Sequence, residues 1–217
     1  MAVDYLKIVK VPHRDSINTG LSACKPSTLR NLLGEPRGDY SQECQPVEGP
    51  FKDRIETRDV GPFRVTGLDV VLDSLQDIFE KVKAKEPELY ELLGSAGMLC
   101  CRHVRGSKTS VSNHSWGTAI DIRIGHNLPP YGAPRCPAGF VNLYKYFHEA
   151  GWYWGAEFPT TDAMHFEISD ELARTMFAQK KKAAAPETGT SEPPAIDTPS
   201  RTSVAPSSKP KAPKRSG

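Results

Sequence analysis

A chain of 217 residues has room for one ordinary domain with extensions and not for two full-sized ones. Its 28 basic and 26 acidic residues leave a formal charge of +2, which points to no nucleic acid or other polyanion as partner. The 38% of hydrophobic residues supports a packed core, yet no apolar run approaches the roughly 20 residues of a membrane span, and the first thirty residues carry no secretory apolar region.

Residues 1–60 are punctuated by Pro12, Gly20, Pro26, Gly34, Pro36, Gly38, Pro46 and Gly49, and read as a loop-rich flank packed on a more regular body. One short helix stands out there, with Pro26 near its start and Gly34 just past its end. The body is expected over 61–179. Leu68, Val71, Leu72, Leu75, Ile78, Phe79 and Val82 recur at three- and four-residue steps, one apolar helical stripe, with Thr66 and Asp69 as its expected cap. Met98 to Val104 is short and apolar and reads as a strand. Ala119 to Ile124 alternates, Ile120, Ile122 and Ile124 against Ala119, Asp121 and Arg123. A second helical stripe, Phe140, Leu143, Tyr144 and Phe147, follows Pro137 and stops at Gly151. Met164 to Ile168 alternates again, His165 and Glu167 on one side, and a last helix is expected from Ser169. Two such strands of one small sheet would bury their Ile, Met and Phe face against helices, an α+β arrangement.

From Lys180 the composition changes. Seven prolines, no aromatic residue, and eight basic against three acidic side chains give residues 180–217 a charge of +5 and leave the rest at −3. This stretch reads as a disordered, solubilising tail, with contact of its Lys/Pro-rich end with an anionic surface as the alternative. The five cysteines form no CxxC pair and read as buried free thiols, a Cys24–Cys44 or Cys44–Cys136 bridge remaining open.

Chemistry concentrates in Ser112-Asn-His114-Ser-Trp-Gly117-Thr-Ala119-Ile-Asp121. Ligands of one metal ion must each come within about 2 Å of it, so the chain has to turn between His114 and Asp121, and Gly117 is the residue best able to do so. His165 is the third candidate. Two imidazoles and a carboxylate make a ligand set of catalytic zinc sites, which need a further carboxylate to shuttle a proton. Asp162, three residues before His165, is the expected base, and Glu167 the residue that orients a ligand histidine rather than a ligand itself. His13, His103, His126 and His148 read as structural or surface residues.

Ser-x-His-x-x-Gly-x-Ala-x-Asp at 112–121, followed by Asp-x-x-His at 162–165 after Gly151-Trp-Tyr-Trp-Gly155, resembles the zinc D-Ala-D-Ala peptidase family. That family includes VanX/VanY-type dipeptidases and carboxypeptidases and the L-alanyl-D-glutamate endopeptidases of phage endolysins. The resemblance implies an α+β fold with the zinc site on the open face of a small antiparallel sheet packed against helices. It implies one Zn2+ per chain on His114, Asp121 and His165, zinc-bound hydroxide as nucleophile, and Asp162 as base and then acid. The implied substrates are the peptides of peptidoglycan, as stem peptides or muropeptides, cut by a monomer. An arginine is implied at the oxyanion. Arg102 is the best match, but only twelve residues separate it from His114, so Arg105 remains a substitute. Arg105, Ser112 and Trp116 are the candidate substrate contacts, with core or cleft wall as the alternative for Trp116. Asp162 stands where VanX-like members carry Glu, which shifts the weight to the endopeptidase and carboxypeptidase branches. The rival reading is a zinc-containing binding module that has lost catalysis, as in Hedgehog-type signalling domains; a toxin acting on another cell's wall would share the chemistry. A wall substrate without a visible signal peptide implies release by lysis, a non-classical export route, or an intracellular role.

Overall fold

The two alternating stretches and the two helical stripes assemble around one core. The computed structural model describes residues 3–183, with side chains described up to residue 178. In chain order the elements are β1 (Ile8–Lys10), α1 (Pro26–Leu33), β2 (Ile55–Asp59), β3 (Arg64–Leu68), α2 (Asp69–Lys85), α3 (Pro87–Tyr90) and β4 (Leu93–Gly97). They continue with β5 (Ala119–Ile124), β6 (Arg135–Pro137), α4 (Ala138–Glu149), β7 (Trp152–Trp154), β8 (His165–Ile168) and α5 (Asp170–Ala183). The fold is α+β. A four-stranded antiparallel sheet of order β4-β5-β8-β7 is joined by two two-stranded pairs, β1-β6 and β2-β3. The described residues belong to one compact unit, and the Pro/Ser/Lys-rich stretch read as a tail lies, beyond Ala183, outside the described residues. Among the described residues no helix is long and apolar enough to cross a membrane.

The core sits on one face of the sheet. Ile120, Ile122, Ile124, Phe166 and Ile168 project to that face and are completely buried, as is the whole α2 stripe from Val71 to Val82. Phe147 of α4 packs on Phe166 with ring centroids 4.3 Å apart and meets Trp152 edge-on at 5.3 Å. Each such side chain stabilises the fold by about 1.5–3 kcal/mol through burial alone.

Helix α1 has Pro26 in its first turn and ends on Gly34, whose φ of 87° and amide bond to the Arg30 carbonyl close it as the sequence predicts. The expected cap of α2 is a correction. Thr66 lies inside β3, its hydroxyl 2.7 Å from that of Thr57, and α2 starts after Leu68 without a side-chain cap. The strand expected at 98–104 is a second correction. The strand is β4, five residues earlier, while 98–104 is irregular and carries only the bridges Cys101–Gln45 and His103–Val111. A third concerns the cysteines: Cys44 and Cys100 form a disulfide that ties the flank to this irregular segment, and Cys24, Cys101 and Cys136 are buried free thiols.

The β2–β3 hairpin spans 55–68, across residue 60. Upstream, Asn18 is held in a left-handed conformation by bonds on both sides, donating to the Trp154 carbonyl and accepting from the Trp154 amide. Ala23 bridges to Ser169 just past β8. Residues 18–24 are thereby fixed along the β7–β8 side of the sheet, Asn18 at Trp154 and Ala23 just past the end of β8.

Candidate metal centre

Asp121 and His165 are cross-strand partners in the β5–β8 register, so the pleat turns both side chains to the same face, opposite the core. His114 arrives from a single 3-10 turn over Asn113–Trp116. That turn ends on Gly117 at φ 65°, and a Cβ there would come within 2.9 Å of the Leu68 amide nitrogen, so only glycine serves both the turn and the close approach to β3. A second glycine acts at the other end of the site. Gly155 accepts the Asp162 amide at 3.0 Å, and a Cβ on it would meet the Asp162 carbonyl at 2.9 Å.

Three ligand atoms converge. His114 Nε2 lies 3.2 Å from His165 Nδ1 and 3.4 Å from Asp121 Oδ1, and His165 Nδ1 lies 3.2 Å from the same carboxylate oxygen. Donors held about 2.0–2.1 Å from a tetrahedral zinc stand about 3.3–3.4 Å from one another, so this triangle has the dimensions of one face of such a site. The outer nitrogens fix the tautomers. His114 Nδ1 donates to the Met98 carbonyl at 2.6 Å, and His165 Nε2 donates to the Glu167 carboxylate at 3.0 Å. Each histidine therefore presents a bare lone pair inward, beside an ionised carboxylate. Three acceptors with no donor between them call for a cation. Metal-free, a proton would take that place: burial works against a charge on His165, yet its bonds to Asp121 and Glu167 push its pKa up to about 10, and Asp121, against its own burial, is held far below the usual carboxylate range by the two imidazoles. The residues fit a zinc ion, and among the described residues this is the group able to hold a metal.

Glu167 is 3% exposed and fully engaged: besides His165 it accepts the Asn113 side-chain amide at 2.9 Å and the Cys24 backbone N–H at 3.1 Å. Asn113 also donates to the Cys24 carbonyl at 2.7 Å. The Cys24 thiol is pushed up by burial and by Glu167, so the residue acts through its backbone and not as a ligand. Sequence reasoning missed Asn113, although it stands inside the motif, because its neighbour His114 absorbs the chemical signal.

These groups open onto a cavity of about 550 Å³, also lined by Arg102, Arg105, Ser112 and Asp162. Among the described residues, the buried side-chain polar atoms without a hydrogen-bond partner are Arg102 Nε, Asn113 Oδ1 and Asp162 Oδ1, and all three residues line this one cavity. Buried polar groups are paired almost everywhere else in proteins, so their convergence marks a site that awaits a ligand or water. Burial raises the pKa of Asp162, and the Asp121 carboxylate adds to it against the pull of the imidazoles. Arg102 is half-buried, donates to the His103 carbonyl at 2.9 Å, and has its amide tied to Ser115 Oγ at 3.1 Å. Arg105 lies on the same wall and is exposed. Ser112 lines the cavity and also braces that wall, its amide donating to the Arg102 carbonyl at 3.0 Å. Trp116 is a correction: it is completely buried, donates its indole N–H to the Gly34 carbonyl at 2.9 Å, and anchors the end of α1 instead of touching substrate.

Residues 105–168 match the family model described as D-alanyl-D-alanine carboxypeptidase. The match supports an M15-like zinc peptidase family, the one the sequence motifs resemble, and spans His114, Asp121, Asp162, His165 and Glu167. Arg102 and the flank that contributes Cys24 lie outside it. A comparison with curated proteins returns no match. The family match and the His-Asp-His group together support a metallopeptidase of the peptidoglycan type.

Proposed function

We propose that this chain is a monozinc peptidase that hydrolyses peptide bonds of peptidoglycan stem peptides, as a D-Ala-D-Ala carboxypeptidase or an L-Ala-D-Glu endopeptidase, with His114, Asp121 and His165 as ligands and Asp162 as general base. The observation that carries it is the triangle of inward lone pairs beside the half-buried Asp162 carboxylate, whose Oδ1 is buried and unpartnered. Zinc there supplies the Lewis acidity that brings water ionisation close to neutral pH.

The protein's own residues do the rest. Asp162 Oδ1 has no bond to give up, and its raised pKa suits a group that takes a proton from the attacking water and returns it to the departing amine nitrogen. Arg102 brings a guanidinium whose Nε is uncommitted, where it would stabilise negative charge building on the carbonyl oxygen. Arg105, more exposed on the same wall, is the alternative donor or the partner of a substrate carboxylate. Val104 on one wall, with Leu128 and Tyr131 of the loop before β6, are exposed apolar side chains lining the mouth. The amide of Gly132 bonds the Thr161 carbonyl at 2.7 Å, which ties that loop to the turn carrying Asp162.

The test is mass spectrometry of purified muropeptides incubated with the zinc-loaded chain and with its Asp162→Asn variant. The proposal expects new fragments whose masses name the bond, with Asp162→Asn slowing their appearance by about 100- to 10,000-fold at unchanged zinc content. A variant that turns over at the wild-type rate removes Asp162 from the mechanism. Zinc-loaded protein that cuts no stem peptide supports the binding-module reading instead.

A further inference from the structure

The metal cavity does not end at its ligands. Ala96, in β4, lines it and also lines a second groove of about 410 Å³ between β4 and the β2–β3 hairpin. In the β4–β5 register Gly97 stands opposite Asp121. The groove therefore begins one strand spacing, about 4.8 Å, from the strand that carries a metal ligand, and an extended peptide rising about 3.3 Å per residue enters it within roughly two residues.

The groove is rich in donors that nothing else uses. The Thr57 and Thr66 hydroxyls share one hydrogen bond at 2.7 Å, which leaves one of the two protons uncommitted. Ser95 Oγ accepts the Gly97 amide at 3.0 Å and keeps its own proton to donate. Arg64 is exposed, and among the described residues no ion pair or side-chain hydrogen bond engages it. Its cross-strand neighbour Asp59 is turned to the Gly61 amide at 2.9 Å. The hydroxyls and the guanidinium match a backbone of carbonyls with a free carboxylate, while Val65, Met98 and Leu99 supply the apolar part of the lining.

We propose that this groove is an outer substrate subsite, which holds an extended, carboxylate-bearing peptide segment about two residues from the scissile bond, with Arg64 paired to that carboxylate. The proposal rests on the peptidase reading only for the identity of the occupant. A cleft that continues past the metal over Ala96 accommodates chain beyond the cut bond, so affinity should grow with peptide length.

The experiment measures binding directly, by titration calorimetry of a synthetic stem tetrapeptide and its fully amidated counterpart into the zinc-loaded, full-length Asp162→Asn chain. Arg64 is an exposed side chain, so Arg64→Ala leaves the fold intact. It should weaken the carboxylate peptide about tenfold, leave the amidated one within about twofold, and not change zinc content. Ala96→Trp, which fills the junction between the two cavities, should weaken both peptides. Equal affinities for parent and Arg64→Ala, an equal loss for the two peptides, or no binding to the parent overturns the subsite. Cleavage of the same tetrapeptide by the unsubstituted chain is followed in parallel. Its absence counts against the peptidase reading, while cleavage with no Arg64 effect counts against the subsite alone.

Discussion

The two faces of the β5–β8 ladder are built from the same ten residues and obey different rules. On the core face, Ile120, Ile122, Ile124, Phe166 and Ile168 are satisfied by any close-packed apolar neighbours, as Phe166 is by Phe147 and Trp154. On the other face, Asp121, His165 and Glu167 are satisfied only by particular atoms: a carbonyl from Met98 behind His114, an amide from Cys24, a carboxamide from Asn113. Apolar packing is a matter of volume and degrades gradually. A polar cage is a matter of donors and acceptors, and one missing partner leaves a buried group unpaired. The same sheet thus supplies stability from one side and a reactive, incompletely satisfied site from the other.

Substitutions on the two faces should separate these roles. The largest effect on folding is expected from Phe166→Ala, which empties a completely buried position against Phe147 and Trp154 and should cost about 3–5 kcal/mol in denaturant unfolding. Zinc affinity per folded molecule should barely move. Asn113→Ala inverts the pattern. It frees Glu167 and loosens the orientation of His165, so zinc binding in a chelator competition should weaken about 10- to 100-fold, with a smaller change in unfolding free energy. Were Asn113→Ala to unfold the chain while leaving zinc affinity unchanged, the division between the faces would fail.

The smallest effect lies away from both faces. Asp170 accepts hydrogen bonds from Thr28 and Arg174, which hold its pKa below the ordinary value against its partial burial. A depressed folded-state pKa contributes stability that is present above the unfolded value, near 4, and lost as pH falls through the folded one. Asp170→Asn should therefore lower stability by up to about 1 kcal/mol at neutral pH, and melting curves should show the difference closing below about pH 4.

What was legible in the sequence follows the same division. Period-two alternation gave β5 to the residue, and three- and four-step spacing gave the α2 and α4 stripes, because apolar burial writes itself as periodicity. The convergence of His114, Asp121 and His165 was legible because a site able to hold a metal needs particular side chains at particular spacings. Strand β4 was not: Gly94 and Gly97 lower its strand character, and the more apolar 98–104 drew the assignment instead. The β2–β3 hairpin was missed since β2 is mostly exposed and carries Glu, Thr and Arg without clean alternation, while β3 is short and contains Gly67. Backbone donors and acceptors such as the Cys24 amide and the Met98 carbonyl have no letter in the sequence, so half of the cage around the ligands could not be read. The Cys44–Cys100 pairing was equally silent, because connectivity is set by three-dimensional approach rather than spacing.

The central claim is that the lone pairs of His114 Nε2 and His165 Nδ1 and the Asp121 carboxylate form one zinc centre. The most direct measurement is calorimetric zinc titration of the metal-stripped chain beside Asp121→Ala and His165→Ala. One equivalent bound tightly by the unsubstituted chain and lost in both variants, with folding retained by circular dichroism, is the predicted result. Zinc bound equally well by the folded variants, or not at all by the unsubstituted chain, would contradict it.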